Sequence, residues 1–288
     1  MRKEAFFKYA VCFILAISMF TTGCGINSQK PVSGDQKIKV VTSTTLIADI
    51  VQAVGGDKVV VNNIVPPASC PGHFDVKPAD MQVLAGSKLF MLHNWQGEQF
   101  TDDMIKSAGN TQLQKVILDV QGNWLAPPVR NEAIDKITEA LATADIKNGE
   151  AYRNTARVLK EETNRIGSAQ KKRLTEAGAG KVNVLVNDMQ AGFIKWAGFN
   201  VVGTFGRAED LSPKEMEDLI KLGKEQGVSL VIDNLQSGKE AGIEIAKGIN
   251  CKQLTLNNFP GGVPGTGTWA DTITKNVDLL VNLLNDNR

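Results

Sequence analysis

The chain has 288 residues, with 32 lysines and arginines against 31 acidic residues and a formal net charge of +1 at pH 7. That balance, without any long basic run interleaved with aromatics, excludes nucleic acid as an expected partner. Only two histidines occur, both in the first third, so general acid-base machinery is sparse and no enzymatic activity is expected.

Arg2, Lys3 and Lys8 precede an apolar run at residues 9–20, too short to span a bilayer but suited to an export signal. The run closes on Thr21-Thr22-Gly23-Cys24. A small residue before a cysteine resembles a bacterial lipobox, although Thr21 stands where leucine is usual. Residues 1–24 are therefore read as a lipoprotein-type signal segment with Cys24 as the lipid anchor, which places the protein on the extracytoplasmic face of the cell membrane. Residues 25–37, polar and rich in Gly, Pro and Ser, read as a flexible tether. Cys12 leaves with the signal, so Cys70 and Cys251 remain in a compartment where disulfides form. Cys70 is either paired with Cys251 or free to bind a ligand.

About 250 residues follow, enough for two lobes of ordinary size. The first is expected over residues 38–148. Residues 38–43 read as a strand, Leu46, Ile47, Ile50, Val51 and Val54 recur at helical spacing, and residues 59–65 read as a second strand: a strand–helix–strand unit. Next comes VPPASCPGHFDVKPAD, residues 65–80, whose prolines and glycine rule out a regular element. It carries Cys70, His73 and Asp75, and Cys70 and His73 have the Cys-x-x-His spacing of many metal half-sites. Residues 78–86 read as a short helix and 88–92 as a strand ending at His93-Asn94-Trp95. Residues 116–120 form a fourth strand, followed by Gly122-Asn123-Trp124. Ligands of such units gather beyond the carboxyl ends of the strands, where these loops emerge.

An amphipathic helix at 131–144 precedes a much longer helical stretch, with the connecting helix set at 149–178. Such a helix is ~40 Å long at ~1.5 Å per residue, enough to pass from one lobe into the next. The second lobe, 179–288, repeats the alternation. A strand at 181–186 ends in Asn187-Asp188, a short helix carries Phe193, Ile194 and Trp196, and a strand follows at 201–205. Ser212-Pro213 with Glu215 reads as a helix start. A strand at 228–232 ends in Asp233-Asn234, and a last strand at 251–256 leads through Asn257-Asn258 into a glycine-rich loop. That loop lacks the Lys-Ser/Thr of a phosphate-binding loop and reads as a mobile segment near the cleft. An amphipathic helix at 269–284 closes the chain.

These stretches together carry a family resemblance. KVVTSTTLIADIVQAVGGDKVVVNNIVPP, FDVKPADMQVLAGSKLF, GNWLAPPVRNEAIDKITEAL, AGFIKWAGFNVVGTFG and TWADTITKNVDLLVNLL resemble, in order and spacing, the cluster A-I solute-binding proteins of bacterial metal importers. Those are the zinc- and manganese-binding lipoprotein receptors of ATP-driven transporters. The resemblance implies two α/β lobes, each a mostly parallel sheet flanked by helices, joined by one long helix with the ligand cleft between them. It implies an ABC permease and its ATPase as partners, a monomeric receptor, and zinc or manganese as bound solute.

Family members hold the metal with histidines in Pro-His loops, a histidine or glutamate opening the second lobe, and an aspartate in the last loop. Aligned on this chain, the first position falls on Gly72 beside His73, and the others become Asn123, Asn187 and Asn257. An amide binds zinc far less well than an imidazole. The preferred expectation is a rebuilt metal site of Cys70, His73 and His93 with a carboxylate from Asp188 or Asp233, because donors are added in the first lobe where the family's own are lost. Asp75, Trp95, Asn123, Trp124, Asn187 and Asn257 are expected to line the cleft. The alternatives are an organic solute or metal chelate in a cleft of asparagines and tryptophans, and an adhesin-like surface protein on the same body. A thiol hydrolase on Cys70 is disfavoured, since no helix N-terminus or lysine pair activates the thiol.

Overall fold

The computed structural model describes residues 37–95 and 101–286. The signal segment, the tether and Cys24 lie outside the described residues. In the first lobe, β1 (Ile38–Thr42) pairs in parallel with β2 (Val59–Asn63) and with β3 (Leu89–His93), and β3 pairs with β4 (Gln114–Leu118). Strand order is β2-β1-β3-β4. The second lobe repeats it as β6-β5-β7-β8, from β5 (Asn183–Asn187), β6 (Asn200–Phe205), β7 (Leu230–Asn234) and β8 (Lys252–Leu256), again all parallel. Every residue of β3 and β7 is buried. Parallel strands need helices on both faces, and apolar clusters accordingly lie on both sides of each sheet.

The covering helices of the first lobe are α1 (Thr45–Gly55), α2 (Pro78–Ala85), α3 (Thr101–Ala108) and α4 (Pro127–Ala144). After the long α5 (Gly149–Ala177) come α6 (Asp188–Ala197), α7 (Pro213–Glu225), α8 (Glu240–Ile249) and α9 (Trp269–Asn285). The expected start of α7 is present as a capping box: Ser212 Oγ accepts from the Glu215 amide while Glu215 accepts from the Ser212 amide. Two helices, α3 and α8, have no counterpart in the sequence reading. The fourth strand lies two residues earlier than expected. Helix α4 starts at Pro127 rather than at 131, because a Pro-Pro pair suits the first turn, where no intrahelical N–H is needed.

Helix α5 passes through both cores. Tyr152 and Ala156 pack with Ile137 and Leu141 of the first lobe, and Leu174 and Ala177 with Ile273 and Val277 of the second. It stops at Gly178, whose φ of 89° is left-handed and whose N–H returns to Leu174 and Thr175. Midway, Gly167 lets Pro127 approach so closely that a Cβ there would sit 2.3 Å from Pro127 Cγ. The lobes also exchange side chains: adjacent Trp124 and Leu125 enter different cores, and Phe259 of the second lobe packs in the first.

Asp233, expected as a carboxylate donor, is buried and engaged within its own lobe. It is 1 % exposed at the end of β7, where its carboxylate accepts from the Gly242 amide in the first turn of α8 (3.1 Å) and from Gln253 Nε2 (2.5 Å). A Cβ on Gly242 would meet that carboxylate at 2.1 Å, so glycine is required for the helix to come so near. Burial pushes Asp233 up to about 6, against the two hydrogen bonds that favour its charge.

Gly to Ala in a helix ordinarily stabilises, by about 0.5–1 kcal/mol; Gly167→Ala should instead lower the melting temperature, because overpacking against Pro127 costs roughly 1–3 kcal/mol. An unchanged or raised melting temperature would show that α4 and α5 separate freely. Asp233 binds its proton more tightly folded than unfolded, so its contribution to stability is complete below its ordinary pKa of 3.8 and is lost as pH rises through about 6. Measured across that window, Asp233→Asn should gain stability relative to the parent as pH rises, whereas a pH-independent difference would contradict the assignment.

Candidate functional site

Each of the eight strands among the described residues sends a residue from its carboxyl end or beyond into one cavity of about 550 Å³ between the lobes. Leu46 follows β1, Cys70 to His73 follow β2, Trp95 follows β3, and Gly122 to Trp124 follow β4. From the second lobe come Asp188 and Met189 after β5, Arg207 after β6, Asn234 to Ser237 at the end of β7, and Asn258 and Phe259 after β8. This is where open parallel sheets present their ligands.

The loop after β2 builds the pole of the site. Pro71 opens a single 3-10 turn, Pro71–His73, in which the His73 amide donates to the Cys70 carbonyl. Three residues per turn superpose positions i and i+3, so the Cys-x-x-His spacing places both side chains on one side. Cys70 Sγ lies 2.9 Å and His73 Nδ1 2.8 Å from the same atom, Nη1 of Arg207, which reaches over from the second lobe. A guanidinium only donates, so sulfur and Nδ1 both act as acceptors here, and their lone pairs converge on one point. On its other edge, Arg207 Nε lies 2.7 Å from Glu209 Oε1. Asp188 lines the same cavity and is exposed.

Cys70 and Cys251 are both free thiols, so the expected alternative of a disulfide between them is absent. Cys251 lies instead in a separate pocket with Gly178, Lys181 and Lys252, where burial pushes its thiol up.

The three asparagines at the family's ligand positions are engaged elsewhere. Asn123 Nδ2 donates to the Met189 carbonyl and to Asn258 Oδ1 while its Oδ1 accepts from the Leu125 amide, joining the lobes across the cavity. Asn187 caps α6, accepting from the Met189 amide, and donates to the Gly206 carbonyl. Asn257 donates to the Phe259 carbonyl and accepts from Gln236 Nε2. The glycine-rich segment folds around that amide: a Cβ on Gly262 would lie 2.2 Å from Asn257 Oδ1. Neither Asn187 nor Asn257 lines the cavity.

His93 is not brought to Cys70 and His73. It is 1 % exposed, with Nε2 2.8 Å from Thr44 Oγ1 and its ring stacked on Trp95 at 3.6 Å and edge-on to Trp124 at 4.5 Å. Burial holds its imidazole well below the ordinary pKa, so it is neutral. Its role here is to back Trp95, which forms part of the cavity wall. Asp75 is exposed and outside the cavity. Among the described residues no three His, Cys, Asp or Glu side chains converge in a way that could hold a metal ion; two donors face one cation instead. Arg207, Gln236 and Asn258 were not singled out from sequence, although applying the carboxyl-end rule to β6 as it was applied to β3 and β5 points to Arg207.

Comparison with known proteins agrees with this architecture. The chain is 22% identical to the manganese-binding lipoprotein MntA of Bacillus subtilis (strain 168), over 94% of this chain and 97% of that protein. Its fold superposes on a crystal structure of ZnuA with a TM-score of 0.70 at 20% identity, covering 87% of this chain and 99% of that one. A cadmium-bound periplasmic metal-binding protein from Candidatus Liberibacter asiaticus gives 0.73 at 18%, covering 86% and 100%. The family described as zinc-uptake complex component A, periplasmic (ZnuA), matches over residues 40–283, so the chain belongs to that family.

Proposed function

We propose that the protein is the extracytoplasmic solute-binding receptor of an ABC importer, capturing a divalent transition-metal ion and delivering it to a membrane permease driven by its ATPase. The observation that carries this reading is the convergence of Cys70 Sγ and His73 Nδ1 on one point, at the carboxyl ends of both sheets. The relatives bearing metal-binding names support it. No bond is made or broken; the receptor binds and releases.

Thiolate and imidazole are two of the four donors zinc ordinarily takes, and that pair favours zinc over manganese, which prefers oxygen. Asp188 lines the same cavity without converging on the pair; in this reading it swings in as a third donor when metal binds, with water completing the shell. Lipid on Cys24 anchors the receptor beside its permease; no helix among the described residues is long and apolar enough to cross a membrane.

Titration with zinc, followed calorimetrically, tests the assignment. His73→Ala and Cys70→Ser should each weaken binding at least tenfold, ~1.4 kcal/mol. Because Cys70 is a free thiol, Cys70→Ser should leave the melting temperature of the metal-free protein nearly unchanged. Parent-like affinity in both variants would remove these residues from the cargo site.

A further inference from the structure

The point on which the two donors converge is already filled by a cation of the chain's own. Arg207 Nη1 is within 2.9 Å of Cys70 Sγ and 2.8 Å of His73 Nδ1. An imidazole Nδ1 has a single lone pair, which either accepts a hydrogen bond from Arg207 or binds a metal ion, never both. Zinc bound to this pair would sit about 2.0 Å from nitrogen and about 2.3 Å from sulfur, in the space the guanidinium now occupies. A guanidinium stays charged at every physiological pH, so it cannot yield its place by losing a proton. It has to move.

We propose that Arg207 is a tethered competitor of the cargo: a side-chain cation that holds the donor pair in the empty receptor, is displaced when metal binds, and returns as metal leaves. Its location gives the exchange direction. Arg207 follows β6 of the second lobe while Cys70 and His73 follow β2 of the first, so the empty state has a cross-lobe contact that the loaded state lacks. Glu209 Oε1 lies 2.7 Å from Arg207 Nε as an ion pair and gives the displaced side chain a charged neighbour outside the donor pair. A ligand shifts such an equilibrium by its differential affinity for the two states, and the observed affinity falls by the fraction of receptor in which the donors are free. Arg207 therefore keeps the receptor from holding its cargo too tightly to release, and it disfavours any guest unable to displace a cation.

The proposal rests on metal capture by Cys70 and His73, and the test separates the two. Zinc affinity is measured by calorimetry for the parent, Arg207→Ala and Arg207→Gln, with melting curves of each protein before and after zinc. Both substitutions remove the charge, and glutamine keeps a hydrogen-bond donor. The expected result is at least tenfold tighter zinc binding in both variants, with a lower melting temperature for the metal-free variants and a larger rise on adding zinc. Arg207 acting only as a structural contact would lower the melting temperature and leave affinity equal or weaker, which overturns the competitor role while metal capture by the parent stands. Absence of zinc binding in parent and variants alike would overturn both the competitor role and the capture reading.

Discussion

The buried pair of Arg130 and Asp49 fixes how the two lobes meet. Arg130 Nη2 lies 2.7 Å from Asp49 Oδ2 with the guanidinium 3 % exposed, which joins α4 to α1 inside the first lobe. Asp49 Oδ1 accepts from the backbone N–H of Trp269, at the positive N-terminus of α9, and the Trp269 ring lies 4.7 Å from the guanidinium. The indole N–H then donates to the Trp124 carbonyl. One carboxylate thus ties the first lobe to the last helix of the second. Deleting one member of a buried pair costs about 3–5 kcal/mol, since the other is left as an uncompensated charge.

With α5 threaded through both cores and Trp124, Leu125 and Phe259 exchanged between them, the lobes are held at several places. A wide hinge opening would have to break all of them. The polar groups of the cleft divide accordingly. Asn123, Asn258 and Gln236 satisfy one another and nearby backbone across the lobes, which a buried amide must do to avoid the cost of an unmade hydrogen bond. Cys70, His73 and Arg207 are the groups whose partnership can be traded for another, and that trade moves side chains, not lobes.

The fold was largely legible because its signals are local. Short apolar runs marked the eight strands among the described residues, the capping residues Ser212 and Glu215 marked α7, and a long stretch without glycine or proline as far as Gly167 marked α5. Helices α3 and α8 went unread, although α8 sets Ala241, Ile245 and Ala246 on one buried face at helical spacing. The site was half legible. Cys-x-x-His is a local pattern, and a 3-10 turn converts it directly into a shared direction. His93 and Asp233 stand at strand ends as the carboxyl-end rule asks, but whether such a side chain faces the cleft or the core depends on what packs over it: Trp95 and Trp124 in one case, Gly242 in the other. Arg207 belongs to a contact between residues more than a hundred positions apart, and no spacing rule reports that.

Replacement of Arg207 by the cargo at Cys70 and His73 is the event most directly open to measurement. X-ray absorption at the zinc edge of the loaded protein reads the neighbours of the metal directly. One sulfur at about 2.3 Å with an imidazole nitrogen at about 2.0 Å is the predicted result. A first shell of oxygen and nitrogen without sulfur would place the cargo elsewhere and leave Arg207 a plain bridge between the lobes.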